Sequence, residues 1–361
     1  MVFVSLLGTL LIVLIACDVA TTVLHPDSEG VVAGRVRKAV WGSTVLAGAR
    51  LPRAKQRLVS LTGPLILAAT FVSWVLLLTL GLALAVWPMM GEEFRIRTGL
   101  GPLGFLDALY FAGGTVTVLG YGDLTPASPG SQLVSLFGAA IGFTLFTGMA
   151  TYAIQVLSGV TKRNQFTLSV HDDVRGRDGV TMLAEYLALD GASGVRTHCR
   201  NWADSMRLVD ETVRRYPLVA LTYRSRRQEY SPEPALRHMA EATVAALVAS
   251  GHEPTLRPSA ESLRLALVRL QRTIALTYLG GDVVHRLDDP QPTEHDQRMA
   301  HRVERLLRTR LDGLGASTGP GPVPGEDHRT VVETVHRCRI FLDGLHGWER
   351  TEGPSHEWET R

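Results

Sequence analysis

The most distinctive stretch of the sequence is residues 113–126, which reads GGTVTVLGYGDLTP. Within it, Gly120 and Gly122 flank Tyr121, and glycine adopts left-handed backbone angles that other residues resist. Such angles at alternate positions can turn successive carbonyl oxygens towards one side of a loop. A ring of carbonyl oxygens can replace the water shell of a cation. The motif therefore indicates a loop that passes cations, although four letters alone also fit an ordinary turn between two helices.

Three apolar segments in the first half of the chain are each long enough to cross a bilayer, which takes about 20 apolar residues. They cover residues 2–24, 61–87 and 131–157. A further apolar stretch, residues 105–117, directly precedes the glycine motif and is too short to cross. Irregular backbone is tolerated at membrane depth only where it is buried in protein or lines a water-filled path. The order of short helix, glycine loop and spanning helix therefore predicts a re-entrant pore loop.

Residues 108–156 resemble the pore module of the potassium-channel superfamily, in which a pore helix, a signature filter and an inner helix follow one another. The membrane half as a whole is similar to small bacterial ion-channel proteins that carry one pore loop per chain. The resemblance implies that each chain supplies one quarter of a filter, so that a homotetramer conducts potassium passively. It places the ion-binding filter at Val118, Leu119, Gly120, Tyr121 and Gly122, with Asp123 at the filter mouth.

The resemblance also implies roles for residues on both sides of the loop. Gly142 aligns with the hinge glycine of the inner helix, and helical spacing from position 143 turns a set of side chains towards the cavity below the filter. The residues expected to support the filter are Tyr110, Phe111, Thr115 and Thr117, and those expected to line the cavity are Phe143, Phe146 and Ala150.

The filter departs from the family pattern at its first position. The family usually has a threonine there, whose hydroxyl helps to line the innermost ion site, and this chain has Val118. Thr117 lies one residue earlier and could serve only if the loop shifted in register. Gly113 and Gly114 stand where a typical pore helix ends in residues that favour helix. Each glycine lowers helix stability by about 1 kcal/mol relative to alanine. Cation conduction is expected, but strict selectivity for potassium does not follow from the motif.

The distribution of charge predicts how the chain is oriented. Only 16 of the 72 charged residues lie in residues 1–160, which separates a membrane part from a polar part. Residues 26–60 carry seven basic side chains against two acidic ones, and an excess of Lys and Arg in a short loop marks the cytoplasmic side. The N-terminus is therefore expected outside the cell and residues 161–361 in the cytoplasm. The preponderance of Arg suggests a GC-rich bacterial genome, hence a bacterial plasma membrane.

The first apolar segment allows two interpretations. Residues 14–17 have the small-residue pattern of a lipoprotein cleavage site, but the segment lacks the basic start of a signal peptide, which favours an uncleaved helix. Asp18 within this helix would be a functional candidate by default. Its place towards the cytoplasmic end favours snorkelling to the interface or pairing with an arginine of the next loop. Residues 31–49 fit a basic helix along the membrane surface.

The predicted fold is an α-helical membrane protein with three transmembrane helices, a re-entrant pore loop and an all-α cytoplasmic domain. Its four regions are a first transmembrane helix (1–25), a basic cytoplasmic linker (26–60), the pore module (61–160) and a cytoplasmic helical domain (161–361). Residues 217–223 fit a short strand or a buried extended piece. The helices predicted in the last region cover residues 180–189, 195–216, 234–250, 259–279, 294–314 and 329–345, with a Gly/Pro-rich linker at 315–325.

Two functions fit the sequence. The first is a tetrameric cation channel that conducts potassium, and the alternative is a non-conducting membrane-anchored sensor or scaffold whose helical domain binds a partner. The sequence contains no metal-ligand spacing, no nucleophile beside a base and no glycine-rich strand-to-helix turn for a dinucleotide. We therefore predict no enzyme activity, no cofactor and no metal beyond the permeant potassium ion. Membrane lipid and further copies of the chain are the expected partners; a net charge of +2 does not indicate nucleic acid.

Overall fold

The computed structural model describes residues 2–25, 29–51, 55–96, 103–225, 227–315 and 325–352. Three of its helices are long and apolar enough to cross a membrane, and almost all the rest of the described chain is helical. The predicted fold class is thereby confirmed. The chain divides into two compact units: Met1–Ala47 with Leu61–Val156, and Gly48–Ser60 with Leu157–Arg361.

The first unit contains the elements that hold the glycine motif. A short two-stranded antiparallel sheet, which the sequence analysis did not predict, brackets the motif, with Phe94 opposite Pro126 and Ile96 opposite Leu124. The elements are α1 (Val2–Leu24), α2 (Val31–Arg50), α3 (Lys55–Val86), α4 (Met90–Glu93), β1 (Phe94–Ile96), α5 (Phe105–Val116), β2 (Leu124–Pro126) and α6 (Pro129–Val174), of which α6 continues into the second unit.

Helices α1 and α3 approach each other closely at two glycines. A Cβ at Gly8 would lie 2.5 Å from the Gly81 carbonyl oxygen and from the Ala85 nitrogen, so a larger residue would force the backbones apart. The Ser5 hydroxyl donates to the Ala85 carbonyl at 3.1 Å across the same crossing. Small residues that allow such close approach are typical of helix contacts in membranes, where apolar side chains gain little by leaving lipid.

Asp18 has a structural environment that differs from both alternatives considered for it. Its buried carboxylate accepts hydrogen bonds from the backbone amides of Val32 (2.8 Å) and Ala33 (3.3 Å) in the first turn of α2, and from the indole of Trp74 on α3 (2.8 Å). The expected snorkelling or arginine pairing is therefore wrong. A carboxylate at a helix N-terminus satisfies amides that have no partner within the helix, so Asp18 ties α1 and α3 to the start of α2.

The second unit is built from six further helices of the described chain, packed around one apolar core that includes Met206, Leu263 and Phe341. Helix α7 contains a break at Gly191, whose φ of 64° is not helical, and this break falls between the two helices predicted there. The helices are α7 (Gly179–Arg215), α8 (Pro232–Ser250), α9 (Arg257–Ile274), α10 (Gly281–Asp288), α11 (Glu294–Gly313) and α12 (Gly325–Glu352).

The structure of this unit differs from the predictions in two places. Residues 217–223 form neither a strand nor an extended piece, because Pro217–Val219 is a single 3₁₀ turn, although residues 218–222 are buried as expected. Helix α10 was missed, since its eight residues carry too short an apolar pattern to be recognised. Residues 316–324 of the predicted Gly/Pro-rich linker lie outside the described residues.

A buried ion-pair network joins α11 to α12. Asp296, which is fully buried, accepts hydrogen bonds from the Arg339 guanidinium (2.7 and 3.1 Å) and from the Thr293 amide (2.8 Å), and His336 Nδ1 lies 2.8 Å away. Burial alone would raise the pKa of Asp296, but hydrogen bonds from Arg339, Thr293 and His336 outweigh it and hold the pKa well below its usual range. The charged form of Asp296 therefore stabilises this helix pair.

Candidate functional site

Helix α5 leads into the glycine motif and is fixed at both ends. At its start the Asp107 carboxylate accepts from the Gly104 amide at 2.7 Å, which satisfies a donor that has no partner within the helix. At its end the Thr117 hydroxyl donates to the Gly113 carbonyl at 2.7 Å. Thr117 thus faces back towards α5, as expected if the filter begins at Val118. The helix buries Ala108, Ala112 and Val116 on its inner face.

The loop after α5 alternates between left-handed and other backbone conformations. The φ angles are 58° at Val118, 56° at Gly120 and 77° at Gly122, which confirms the alternation predicted from the two glycines. The left-handed angle at Val118 was not predicted, because β-branched residues rarely adopt it. A residue held in this region costs about 1–3 kcal/mol and is typical of functional sites.

The hydrogen bonds of the loop leave its carbonyl oxygens free. The amides of Val118 and Leu119 donate back to the carbonyls of Thr115 (3.1 Å) and Gly114 (2.8 Å) at the end of α5. Within the described part of the chain, the carbonyl oxygens of Val118, Leu119, Gly120 and Tyr121 accept no hydrogen bond. Unpartnered carbonyls are costly wherever water is excluded, so these oxygens need another partner at membrane depth.

Two aromatic residues connect α5 to the outer part of the loop. The ring of Tyr110 stacks on that of Tyr121, with centroids 6.0 Å apart and planes 9° from parallel. The Tyr110 hydroxyl also donates to the Asp123 carboxylate at 2.9 Å. One side chain of α5 therefore contacts both Tyr121 and Asp123, and the filter-supporting role of Tyr110 remains a prediction.

The short sheet holds the loop from the other side. Phe111 of α5 packs edge-on against Phe94 of β1, with ring centroids 4.9 Å apart. Phe111 thus contacts the sheet whose second strand, β2, directly follows the loop. Sequence reasoning missed Phe94, because a three-residue strand carries no recognisable periodicity and its partner lies about thirty residues further along the chain.

Glu93 is a second residue of this region that sequence reasoning missed. Its backbone carbonyl accepts from the Ala127 amide at 2.7 Å and from the Ser131 hydroxyl at 3.1 Å, and its carboxylate accepts from the Ser128 hydroxyl. The Ser128 hydroxyl in turn accepts from the Ser131 amide at 3.1 Å, which caps the first turn of α6. Glu93 therefore connects the strand before the loop to the helix after it.

Gly142 lies at the point where α6 passes the end of α5. A Cβ at this position would be 2.2 Å from the Val116 carbonyl oxygen and 2.9 Å from its Cα, so only glycine permits the contact. Helix α6 is continuous through this residue. The structure thus gives Gly142 a packing role next to the loop, and the hinge role implied by the family resemblance remains a prediction.

The residues expected to line a cavity below the loop divide into two groups. Phe143 and Ala150 are exposed on α6, whereas the ring of Phe146 packs edge-on against Phe71 of α3, with centroids 5.1 Å apart. Phe146 thus contacts the neighbouring helix of its own chain, and the cavity-lining roles of Phe143, Phe146 and Ala150 remain predictions.

The segment that contains the loop is similar to ion-channel proteins. A family model described as "Ion channel" matches residues 66–159, which include α5, the loop and the membrane part of α6. The match confirms the predicted resemblance for this segment, and the chain is a membrane protein. No solved structure is significantly similar to the chain.

Three curated proteins are similar in sequence to part of this chain, one named as a membrane protein and two as potassium channels. The chain is 32% identical over 127 residues to "Uncharacterized membrane protein YdjJ" of Bacillus subtilis, covering 35% of this chain and 36% of that protein. It is 38% identical over 78 residues to "Two-pore potassium channel 2" of Arabidopsis thaliana (19% and 18%) and 43% identical over 54 residues to "Two pore potassium channel c" of Oryza sativa (14% and 12%). The matches span about a third or less of each relative's length.

Proposed function

We propose that the chain assembles as a homotetramer that conducts potassium passively across the cell membrane through residues 118–122. The observation that carries this proposal is the set of free carbonyl oxygens at Val118, Leu119, Gly120 and Tyr121, in a loop bound to the end of α5 only through its amides. Four copies of such a loop around one axis would provide the carbonyl rings that replace the water shell of a cation. The similarity to two proteins named as potassium channels supports potassium as the ion.

The exposure of the loop supports an assembly of several chains. In the single chain Val118, Leu119 and Tyr121 are 55%, 59% and 65% exposed, although all three are large and apolar or aromatic. Lipid covers such side chains but cannot pair with the free carbonyl oxygens of the same residues, which favours a loop enclosed by further copies of the chain. Each chain has one pore loop, so a monomer has no closed ring of oxygens and cannot select an ion.

Val118 defines the innermost ion site in this proposal. Its side chain has the shape of threonine without the hydroxyl, so the inner mouth of the filter offers carbonyl oxygens on one side and methyl groups on the other. An ion that enters from the cavity loses water there and finds fewer protein oxygens to replace it. Partial loss of its coordination shell in a confined site costs free energy. We infer selectivity for potassium that is weaker than in channels with threonine at this position.

We also propose an orientation for the chain. The exposed basic side chains of α2, among them Arg35, Lys38 and Arg50, favour the cytoplasmic side for this helix, because Lys and Arg in short loops are retained there. The N-terminus then lies outside and the second unit in the cytoplasm. In a variant with Cys17→Ser, an impermeant thiol reagent applied to intact cells should label Glu92→Cys but not Ser43→Cys or Thr197→Cys. The reverse pattern would overturn the orientation.

Ion flux tests the proposal as a whole. Purified full-length protein in potassium-loaded liposomes should release potassium down its gradient before valinomycin is added, and protein-free liposomes should release it only afterwards. Gly120→Ala should abolish the flux, because alanine strains a residue at φ 56°. Gly148→Ala is the matched control, since a Cβ there meets no neighbouring atom. Flux no greater than in protein-free liposomes would favour the non-conducting scaffold instead.

Subunit number needs its own measurement. Native mass spectrometry of the protein in detergent should show a complex of four chains, each of 39.3 kDa. A monomer or dimer at all detergent concentrations would contradict the tetramer.

A further inference from the structure

The second unit contains a cleft of about 1200 Å³ that none of the roles described above uses. It lies between the last turns of α6, the first half of α8 and one face of α11. Its volume lies slightly above the usual range of sites that hold small molecules, which is roughly 300–1,000 Å³. The cleft is therefore large enough for a ligand of nucleotide size or larger.

Part of the cleft is apolar. Val174, Val180 and Ala235 are buried residues of its lining, and Met299, Val303 and Leu306 contribute apolar surface from α11. Small-molecule sites are typically lined by apolar side chains with a few convergent polar groups. An entirely inorganic anion would leave this surface unused.

The polar groups of the cleft are dominated by arginine. Arg302 and Arg310 line it from α11 and are exposed, and neither side chain forms a hydrogen bond or ion pair with another residue of the described chain. They are eight residues apart on one helix, which separates them by about 12 Å along its axis. Two free guanidinium groups at this spacing can bind two ends of one anion, or two charged groups along it.

The acidic residues that also line the cleft already have partners. Asp178 accepts from the Thr181 amide at 2.7 Å, and Glu241 accepts from the Gly179 amide at 2.8 Å. Glu229 lies 3.8 Å from the Arg227 guanidinium. Against these three carboxylates the lining carries four arginines, at positions 177, 237, 302 and 310, so the basic groups exceed the acidic ones. The uncompensated charge of the cleft is positive.

We propose that this cleft binds a phosphate-bearing anion with an apolar part, and that its occupancy regulates the pore. Arginine is the side chain best suited to phosphate, because its planar guanidinium forms two parallel hydrogen bonds to the oxygens. Thr167, His171 and Val174, which line the cleft, belong to α6, the helix whose earlier turns carry Gly142. Regulation rests on the proposed channel function; binding does not.

Binding is tested on the full-length protein in phosphatidylcholine nanodiscs, with trinitrophenyl-ATP as a fluorescent probe. Arg302→Gln combined with Arg310→Gln should weaken binding of the probe about tenfold or more, since the phosphate loses two charged hydrogen-bond donors. Arg298→Gln combined with Arg305→Gln removes the same charge from α11 outside the cleft and should change affinity less than about twofold. Absence of probe binding, or equal loss in both double variants, would overturn the proposal.

Competitors distinguish the two sources of such a ligand. Displacement of the probe by ATP supports a soluble nucleotide, and displacement by dioctanoyl phosphatidylglycerol supports a lipid headgroup. The competitor that displaces the probe should then change potassium flux from liposomes of the wild type but not of the Arg302→Gln/Arg310→Gln variant. Binding with unchanged flux would overturn the regulatory role. If the wild type binds the probe but gives no potassium flux, the proposed channel function is contradicted, and the proposal that the cleft binds a ligand still holds.

Discussion

Gly142 of α6 and Val116 of α5 lie so close that a Cβ on the glycine would be 2.2 Å from the valine carbonyl oxygen. Val116 is two residues before the start of the proposed filter, and the Val118 amide is bonded to the same end of α5. Helix α6 thus contacts, through backbone atoms that cannot rotate away as a side chain can, the end of α5 to which the proposed filter is bonded. A change in the position of α6 at Gly142 is expected to reach the filter directly.

Replacement of Gly142 tests this contact. In Gly142→Ala the two helices must separate, so we expect a lower ratio of potassium to sodium permeability together with a lower open probability in single-channel recordings. A role as hinge alone predicts a change in opening with selectivity intact. Gly148→Ala, six residues further along α6 with open space around it, should leave both quantities unchanged. Wild-type behaviour of Gly142→Ala would contradict the packing role and the hinge alike.

The buried carboxylate of Asp18 is expected to stabilise the membrane unit. Asp18→Ala leaves the Trp74 indole and two amides of α2 without their acceptor, which costs about 1–3 kcal/mol. Asp18→Asn keeps one acceptor oxygen and should cost less. Thermal unfolding of the detergent-solubilised protein, followed by tryptophan fluorescence, measures both effects as shifts in Tm.

A double-mutant cycle identifies the partner of Asp18. Because Asp18 and Trp74 share a hydrogen bond of 2.8 Å, the effects of Asp18→Ala and Trp74→Phe should be less than additive when combined. Additive effects would show that the two residues stabilise the protein independently, and the proposed connection between α1 and α3 would be wrong.

The Asp296 network predicts a pH-dependent contribution to stability. The folded protein lowers the pKa of Asp296 below the unfolded value of about 3.9, so the charged form stabilises the fold above that pH, and the contribution is lost as pH falls through the lowered pKa. Asp296→Asn should therefore lower Tm at pH 7 by several degrees, with a difference from wild type that narrows below about pH 4.

Asp312→Asn is the control for this prediction, because Asp312 is exposed near the end of the same helix and its side chain forms no ion pair in the described residues. It should have little effect at any pH. A Tm difference for Asp296→Asn that stays constant from pH 7 to pH 3 would show that the charge of Asp296 does not stabilise the helix pair.

The membrane helices and the glycine loop were predictable because their signals are local. A span of apolar residues identifies a helix such as α3 by length alone, and the spacing of Gly120 and Gly122 indicates left-handed angles. The bond of the Thr117 hydroxyl to the Gly113 carbonyl agrees with the register in which the filter begins one residue later, at Val118.

The contacts that hold the loop and the unit together were not predictable, because they join residues far apart in the chain. Asp18 and Trp74 are 56 residues apart, and nothing near Asp18 indicates an indole partner. Phe94 pairs with Pro126 through a strand too short to show alternation. Val118 has a left-handed φ that valine disfavours. Its residue type therefore could not predict this angle, which the hydrogen bond of its amide to the end of α5 holds in place.

The reversal potential under opposed potassium and sodium gradients depends on which residue begins the filter, and it therefore tests the proposed filter at residues 118–122. In planar bilayers we expect the wild type to carry a cation current whose reversal potential lies closer to the potassium equilibrium potential than to that of sodium. Val118→Thr restores four hydroxyls at the innermost site and should move the reversal potential further towards potassium and strengthen block by internal barium. Thr117→Val should change neither, because its hydroxyl bonds back to Gly113. The proposed filter register is contradicted if Thr117→Val abolishes selectivity while Val118→Thr leaves the reversal potential and barium block unchanged.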